Sequence, residues 1–171
     1  MKRWGLGILV VLLLLAAGCG SNAGGDGTFS EQDLAIRIGD RQFKVGEPVD
    51  GLLSALGGDF EYFEQQNPSY DGLDKSYEYE TVQIHTVPFE GKDLIAEIYL
   101  FGGALQTAKN IGIGSTRAEV EAAYGTGYVK EESEMAYWAG KKGDANSPCL
   151  GFFLDAKDVV SELVIVGKPL E

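Results

Sequence analysis

Apolar and polar positions along the chain change period several times, and each change marks an element. Leu6–Ala17 is an apolar run broken only by Gly7. From Leu34 the spacing becomes two. Ala35-Ile36-Arg37-Ile38 and Gln42-Phe43-Lys44-Val45 alternate on either side of Gly39-Asp40-Arg41, which predicts a β-hairpin. Val49, Leu52, Leu53 and Leu56 then recur at helical spacing, after Pro48, which fits a first helical position, and before Gly57, which ends the pattern. Phe60–Lys75, with Pro68 and Asp71-Gly72, has no period and reads mostly as loop. Ser76–Glu80, Val82–Phe89 and Leu94–Phe101 return to strand composition. In the second half Thr116 and Glu119 stand in the relation of a capping box, Val120, Ala123 and Tyr124 form one apolar stripe, and Gly125 closes the helix. Met135–Ala139, Cys149–Leu154 and Val159–Val166 follow as strands, separated by the loop Gly140–Pro148 and the turn Asp155–Asp158.

The two halves echo one another. A shift of 68 residues places Gly46 on Gly114, Leu52 on Val120, Ala55 on Ala123 and Gly57 on Gly125. A shift of 65 places Lys92–Ile98 on Lys157–Leu163 and Gly102 on Gly167. Two matches in the same order with nearly the same shift point to tandem duplication. The expected fold is therefore α+β, a tandem repeat of two helix-plus-antiparallel-sheet units over residues 30–104 and 105–171. Each helix is too short to be stable alone and must lie on a sheet.

The first apolar run follows Lys2 and Arg3, is short for a bilayer span, and reads as an export signal over residues 1–18. It ends Leu15-Ala16-Ala17-Gly18-Cys19, which resembles the lipobox of bacterial lipoproteins. That resemblance implies cleavage before Cys19, lipidation of its thiol, and a location on the outer side of the cytoplasmic membrane. Acyl chains gain about 0.8 kcal/mol per buried methylene, so the anchor needs no spanning helix. The small residues that follow predict a flexible tether over residues 19–29.

Charge narrows the partners. The chain carries 14 basic and 26 acidic residues, a net charge of −12 that becomes −14 once Lys2 and Arg3 leave with the signal. Such a surface is poorly suited to nucleic acid or anionic headgroups. Only Cys149 remains beyond Cys19, so no internal disulfide is available and a lone thiol reads as a small buried hydrophobe.

Enzymatic chemistry finds little support in the residues. His85 is the only histidine and lies in a strand with no base or nucleophile signalled beside it. One histidine and one mature cysteine make no zinc site, and no metal or other cofactor is expected. Gly112-x-Gly114 completes neither phosphate-loop pattern. Asp71, Asp74, Glu78 and Glu80 cluster, but their spacing matches no EF-hand and reads as a solvated acidic loop. A non-catalytic protein is expected.

The pattern Gly114-x-Thr116-x-x-Glu119-Val120-x-x-x-x-Gly125 resembles the helix signature shared by BamE-type (SmpA/OmlA) outer-membrane assembly lipoproteins and the β-lactamase inhibitor protein (BLIP) superfamily. The latter is built of tandem helix-plus-sheet units, and the internal repeat covers nearly all of residues 34–167. Tyr70-Asp71-Gly72-x-Asp74-Lys75-x-Tyr77-x-Tyr79 with Thr86-x-Pro88 also resembles uncharacterised surface lipoproteins of Firmicutes. The first copy departs from the signature, having Glu47-Pro48 where the second has its polar cap. The resemblance implies a BLIP-like architecture and a role in binding an unidentified protein or envelope component through a sheet face. The BamE likeness implies the alternative of a structural envelope-assembly factor.

Alternation along the strands suggests where such a surface would lie. Ala96, Ile98 and Leu100 share one face, and Ile95, Glu97, Tyr99 and Phe101 share the other. Apolar residues on both faces mean either fuller coverage of the sheet or a patch kept open for a partner. Tyr77, Tyr79, Tyr99, Phe101, Tyr137 and Trp138 are the candidate anchors, since tyrosine and tryptophan combine large area with a polar tip. They could equally be core residues whose hydroxyls are satisfied.

Overall fold

A computed structural model describes residues 27–168 except 69, 132 and 145. The signal segment, Cys19 and residues 19–26 of the expected tether lie outside the described residues. Among the described residues there are eleven strands: β1 (Ala35–Ile38), β2 (Arg41–Lys44), β3 (Glu61–Gln66), β4 (Leu73–Glu78), β5 (Val82–Phe89), β6 (Lys92–Leu100), β7 (Gln106–Thr107), β8 (Val129–Glu131), β9 (Glu134–Trp138), β10 (Cys149–Leu154) and β11 (Val160–Val166). Two α-helices interrupt them, α1 (Asp50–Leu56) and α2 (Arg117–Tyr124). No described helix is long and apolar enough to cross a membrane.

Strands β3 to β6 form an antiparallel meander, as do β8 to β11, and β6 pairs with β11. The result is one eight-stranded antiparallel sheet in the order β3-β4-β5-β6-β11-β10-β9-β8. A second, three-stranded sheet in the order β2-β1-β7 combines the first hairpin with a short strand from beyond residue 104. The expected α+β fold of two helix-plus-sheet units is thereby overturned. Strands dominate, the helices are only 7 and 8 residues long, and both halves enter a single sheet. The physical reason is that β6 and β11 each carry a row of apolar side chains that a free strand edge would leave exposed. Leu100 lies opposite Leu163 and Ile98 opposite Ile165 at 0% exposure, so pairing the two strands closes an edge that each would otherwise present to solvent.

The two halves correspond at a smaller scale, in how the chain enters each helix. Gly46 N–H donates to Ile95 O at 2.7 Å, and Gly114 N–H donates to Val160 O at 2.8 Å. Val49 N–H donates to Asp93 O at 3.0 Å, and Arg117 N–H to Asp158 O at 2.9 Å. These pairs are related by the shifts of 68 and 65 residues. The two strands also carry corresponding bulges, at Ala96 in β6 and Ser161 in β11, each skipped in the register of its hairpin. The capping differs as the sequence indicates. Thr116 Oγ1 accepts from Glu119 N–H, and Glu119 Oε2 accepts from Thr116 N–H at 2.7 Å, whereas Val49 at the head of α1 has no side chain to offer.

Both helices, the three-stranded sheet and one face of the large sheet share a single apolar core. Leu52 and Val120 are each 0% exposed and pack in the same cluster as Ile36, Ile84, Ile98, Phe152 and Leu163. Burying side chains of this size gains roughly 1.5–3 kcal/mol each relative to leaving them in water. Near α2 the core is aromatic. The Tyr124 ring packs at a tilt 5.5 Å from Tyr137 and 5.6 Å from Phe152, and its hydroxyl donates to Thr107 Oγ1 at 2.6 Å. Phe29 joins this group, 5.7 Å from Tyr137, so the expected tether has ended before that residue.

Two further differences from the sequence pattern have plain causes. Phe60–Lys75 contains strand β3, which carries no apolar period because it is the edge strand and all six of its residues are exposed. Ile95 lies with the core residues at 1% exposure because the bulge at Ala96 reverses the alternation.

The helix ends give a test. Gly57 and Gly125 both hold φ of +94° and +80° with ψ near 180°, a region open essentially to glycine alone. A Cβ on Gly57 would meet nothing within 4 Å, whereas one on Gly125 would lie 2.1 Å from Gly27 O. Gly57→Ala is expected to lower unfolding free energy by about 1–3 kcal/mol from backbone strain. Gly125→Ala should lose clearly more, because the Gly27 backbone must also move. Equal losses in urea denaturation would contradict the packing of Gly27 over α2.

Candidate functional site

Since the helices and the small sheet cover one face of the large sheet, the other face is uncovered by any described element. Register identifies its residues. Phe63 lies opposite Ser76, Ser76 opposite His85, and His85 opposite Glu97. In the next row Glu61, Glu78, Gln83, Tyr99 and Val164 follow one another across β3, β4, β5, β6 and β11. Beyond the β6–β11 seam the face continues through Cys149 to Trp138 and through Gly151 to Ala136.

The β3–β6 half of this face holds an open groove of ≈ 560 Å³, with Phe63, Ser76, Glu78, Gln83, His85 and Glu97 in its lining. The side chains within it are tied to one another. Tyr99 OH donates to Glu97 Oε2 at 2.8 Å, and His85 Nδ1 lies 3.2 Å from the same oxygen. Gln83 Nε2 donates to Glu78 Oε1 at 2.9 Å, which Ser76 Oγ also reaches at 3.2 Å. Above them Tyr99 and Phe101 stack at 6.3 Å with ring planes 13° apart. Phe63 and Phe101 stand 51% and 46% exposed. Ordered carboxylates beside exposed aromatic faces can recognise a cation or anchor a protein side chain.

Electrostatics follow from these contacts. The hydrogen bond from His85, aided by that from Tyr99, holds the Glu97 carboxyl below the usual glutamate range, against the opposing effect of burial. Burial and the neighbouring Glu97 carboxylate push the Tyr99 phenol well up, so it remains a donor. Cys149, half-buried on the same face, is raised to about 11 by burial and by the charges on Glu134 and Glu97. Its thiol therefore stays protonated and unreactive near neutral pH.

The six candidate anchors divide between the two sides. Tyr77 and Tyr137 are core residues, 7% and 2% exposed; Tyr137 OH donates to Gly125 O at 2.7 Å. Tyr79 packs 5.3 Å from Phe60 and donates to Gly57 O at 2.9 Å, fastening the end of α1 as Tyr137 fastens that of α2. Tyr77 and Tyr137 therefore do not belong to the uncovered face, although Tyr137 borders a small pocket with Phe29 and Gly125 on the core side. Tyr99 and Trp138 belong by register to the uncovered face, and Phe101, just past the end of β6, stacks on Tyr99. Sequence reasoning missed Phe63, Glu78 and Gln83. Two-residue alternation would have paired Glu78 with Ser76, but β3, which brings Phe63, gave no periodic signal.

Among the described residues no group of three or more His, Cys, Asp or Glu side chains is arranged to hold a metal ion. Of the acidic loop, Asp74 is engaged by Asn67 Nδ2 at 2.6 Å and by the Tyr70 hydroxyl. The chain matches no family model, no curated protein and no solved structure.

The Glu97 contacts carry a pH signature. A carboxyl whose folded value is depressed contributes stability above its unfolded value and loses it as pH falls through the folded one. The side-chain resonance of Glu97 is therefore expected to titrate below the ordinary glutamate range, and Tyr99→Phe should shift that midpoint upward. An ordinary or raised midpoint in the unaltered protein would contradict the hydrogen-bonded arrangement.

Proposed function

We propose that this chain is a membrane-anchored, extracytoplasmic lipoprotein whose role is to bind another protein, without catalysis, through the uncovered face of its eight-stranded sheet. The observation that carries the binding half is the one-sided coverage of the sheet. Both helices and the small sheet lie on one side, while the other keeps Phe63 and Phe101 about half exposed beside a groove of ≈ 560 Å³. Exposed aromatic rings rimmed by ordered polar groups are the composition of an interface centre rather than of an ordinary surface. The anchoring half rests on the lipobox-like Leu15–Cys19 and the apolar run before it.

The protonated Cys149 and the Glu97 carboxylate, engaged by both His85 and Tyr99, offer no activated nucleophile on this face. That favours recognition over reaction. An acyl anchor with a chain of small residues behind it would present the domain to neighbours in the envelope while leaving the face free to turn.

Site-specific photocrosslinking in intact cells tests both halves together. A benzophenone side chain at Phe101 is expected to capture one discrete protein, whereas the same group at Asp59, on the turn after α1, should not. Tyr99→Ala combined with the probe at Phe101 should reduce the adduct several-fold, as loss of an interface anchor worth about 2 kcal/mol would. With Cys19→Ser the mature membrane-bound form, and its adduct, should disappear. Equal adducts at Phe101 and Asp59 would defeat the binding reading, and a mature Cys19→Ser protein retained on membranes would defeat the anchoring one.

A further inference from the structure

The uncovered face carries charge that the fold itself leaves unneutralised. Register puts Glu61 directly opposite Glu78 at one side of the sheet and Glu131 directly opposite Glu134 at the other. Like charges directly across a strand pair are destabilising. Glu97 and Glu162 lie on the same face between them. The lysines of these strands do not compensate. Lys75 and Lys130 lie opposite the buried Thr86 and Met135, and Lys75, although it borders the groove, is committed to Asp93 at 2.7 Å. Lys92 stands at the far end of the β5–β6 hairpin, opposite Phe89. Glu134 registers the consequence: burial, with the charge on Glu131 added, holds its carboxyl above the ordinary range.

Glu78 and Glu97 are fixed in place without being discharged. Glu78 accepts from the neutral groups of Gln83 and Ser76, both on Oε1. Glu97 accepts from the Tyr99 hydroxyl on Oε2, the same oxygen that faces His85. Each carboxylate thus keeps a second oxygen without a hydrogen-bond partner among the described residues. Beside them stand the Tyr99–Phe101 stack and the exposed ring of Phe63. Ammonium and guanidinium groups fit this combination, because they satisfy a carboxylate, lie over aromatic faces, and bring aliphatic stems that cover apolar surface.

We infer that the partner of this face is a protein segment rich in lysine or arginine, laid across β3 to β6 with its cationic side chains on Glu78 and Glu97 and its stems over Phe63 and the Tyr99–Phe101 stack. This rests on the binding reading above and narrows it to one class of partner. The acidic balance of the whole chain would steer such a segment toward the face before contact.

Fluorescence anisotropy with the full chain in non-ionic detergent tests the inference, using a labelled ten-residue peptide that alternates lysine with alanine and its glutamate–alanine counterpart. The cationic peptide is expected to bind and the acidic one not. E78Q/E97Q should weaken binding about tenfold or more, whereas D40N/D59N, which removes equal charge from exposed turns elsewhere, should change it less than about threefold. E61Q should weaken the peptide while raising the melting temperature, a split that misfolding cannot produce. Failure of the cationic peptide to bind, equal weakening by the two double variants, or displacement of the peptide by an equal concentration of spermine would overturn the inference. In the first two cases a surviving Phe101 crosslink would leave the binding reading intact, so the two failures are distinguishable.

Discussion

Everything in this molecule depends on the pairing of β6 with β11. Leu100 against Leu163, Tyr99 against Val164, Ile98 against Ile165 and Glu97 against Val166 join two meanders into one sheet. The alternation of that seam decides both faces at once. Ile98, Leu100, Leu163 and Ile165 go to the helices at 0% exposure, and Glu97, Tyr99 and Val164 go to the opposite side. A one-residue slip of register would exchange the two sets and place a carboxylate in the core. The seam thus fixes the core and the candidate binding face in a single step.

The bulges at Ala96 and Ser161 serve the same arrangement. Each adds one residue to its strand just past the seam, so that Ile95 and Val160 return to the core side where the helices begin. Their backbone then receives the incoming chain: Ile95 O accepts from Gly46 and Val160 O from Gly114. Tyrosine hydroxyls secure the far ends, Tyr79 on Gly57 O and Tyr137 on Gly125 O. Helices of 7 and 8 residues gain little stability of their own, and these backbone and side-chain ties, with the burial of Leu52 and Val120, hold them in place.

Local structure was legible in the residues wherever one face was buried and a turn signal marked the limit. Alternation marks Val82–Phe89 and Cys149–Leu154 at the bounds they have in the structure, and Gly125 and the Thr116–Glu119 box mark the ends of α2. The edge strand β3 was illegible because no residue in it is buried, so selection for alternation is absent. The fold class was misjudged for a different reason. An internal repeat states that two segments are alike, but whether their sheets fuse is set by contacts between β6 and β11, some sixty residues apart, which no local period encodes. The site suffered from the same gap. Tyr77 and Tyr137 look like surface anchors by type, and only their position beneath the helices shows them to be core, while Glu78, Gln83 and Phe63 meet Tyr99 and Glu97 solely through cross-strand register.

Native-state hydrogen exchange of the individual backbone amides in β6 and β11 tests the central claim most directly. If the seam is what the rest depends on, the bonded amides from Ile98 to Leu100 and from Leu163 to Ile165 should exchange only through global unfolding, with the same free energy and denaturant dependence as the slowest amides of β5 and β10. Exchange of the two meanders as separate cooperative units, with β6 and β11 less protected than the strands flanking them, would contradict the account.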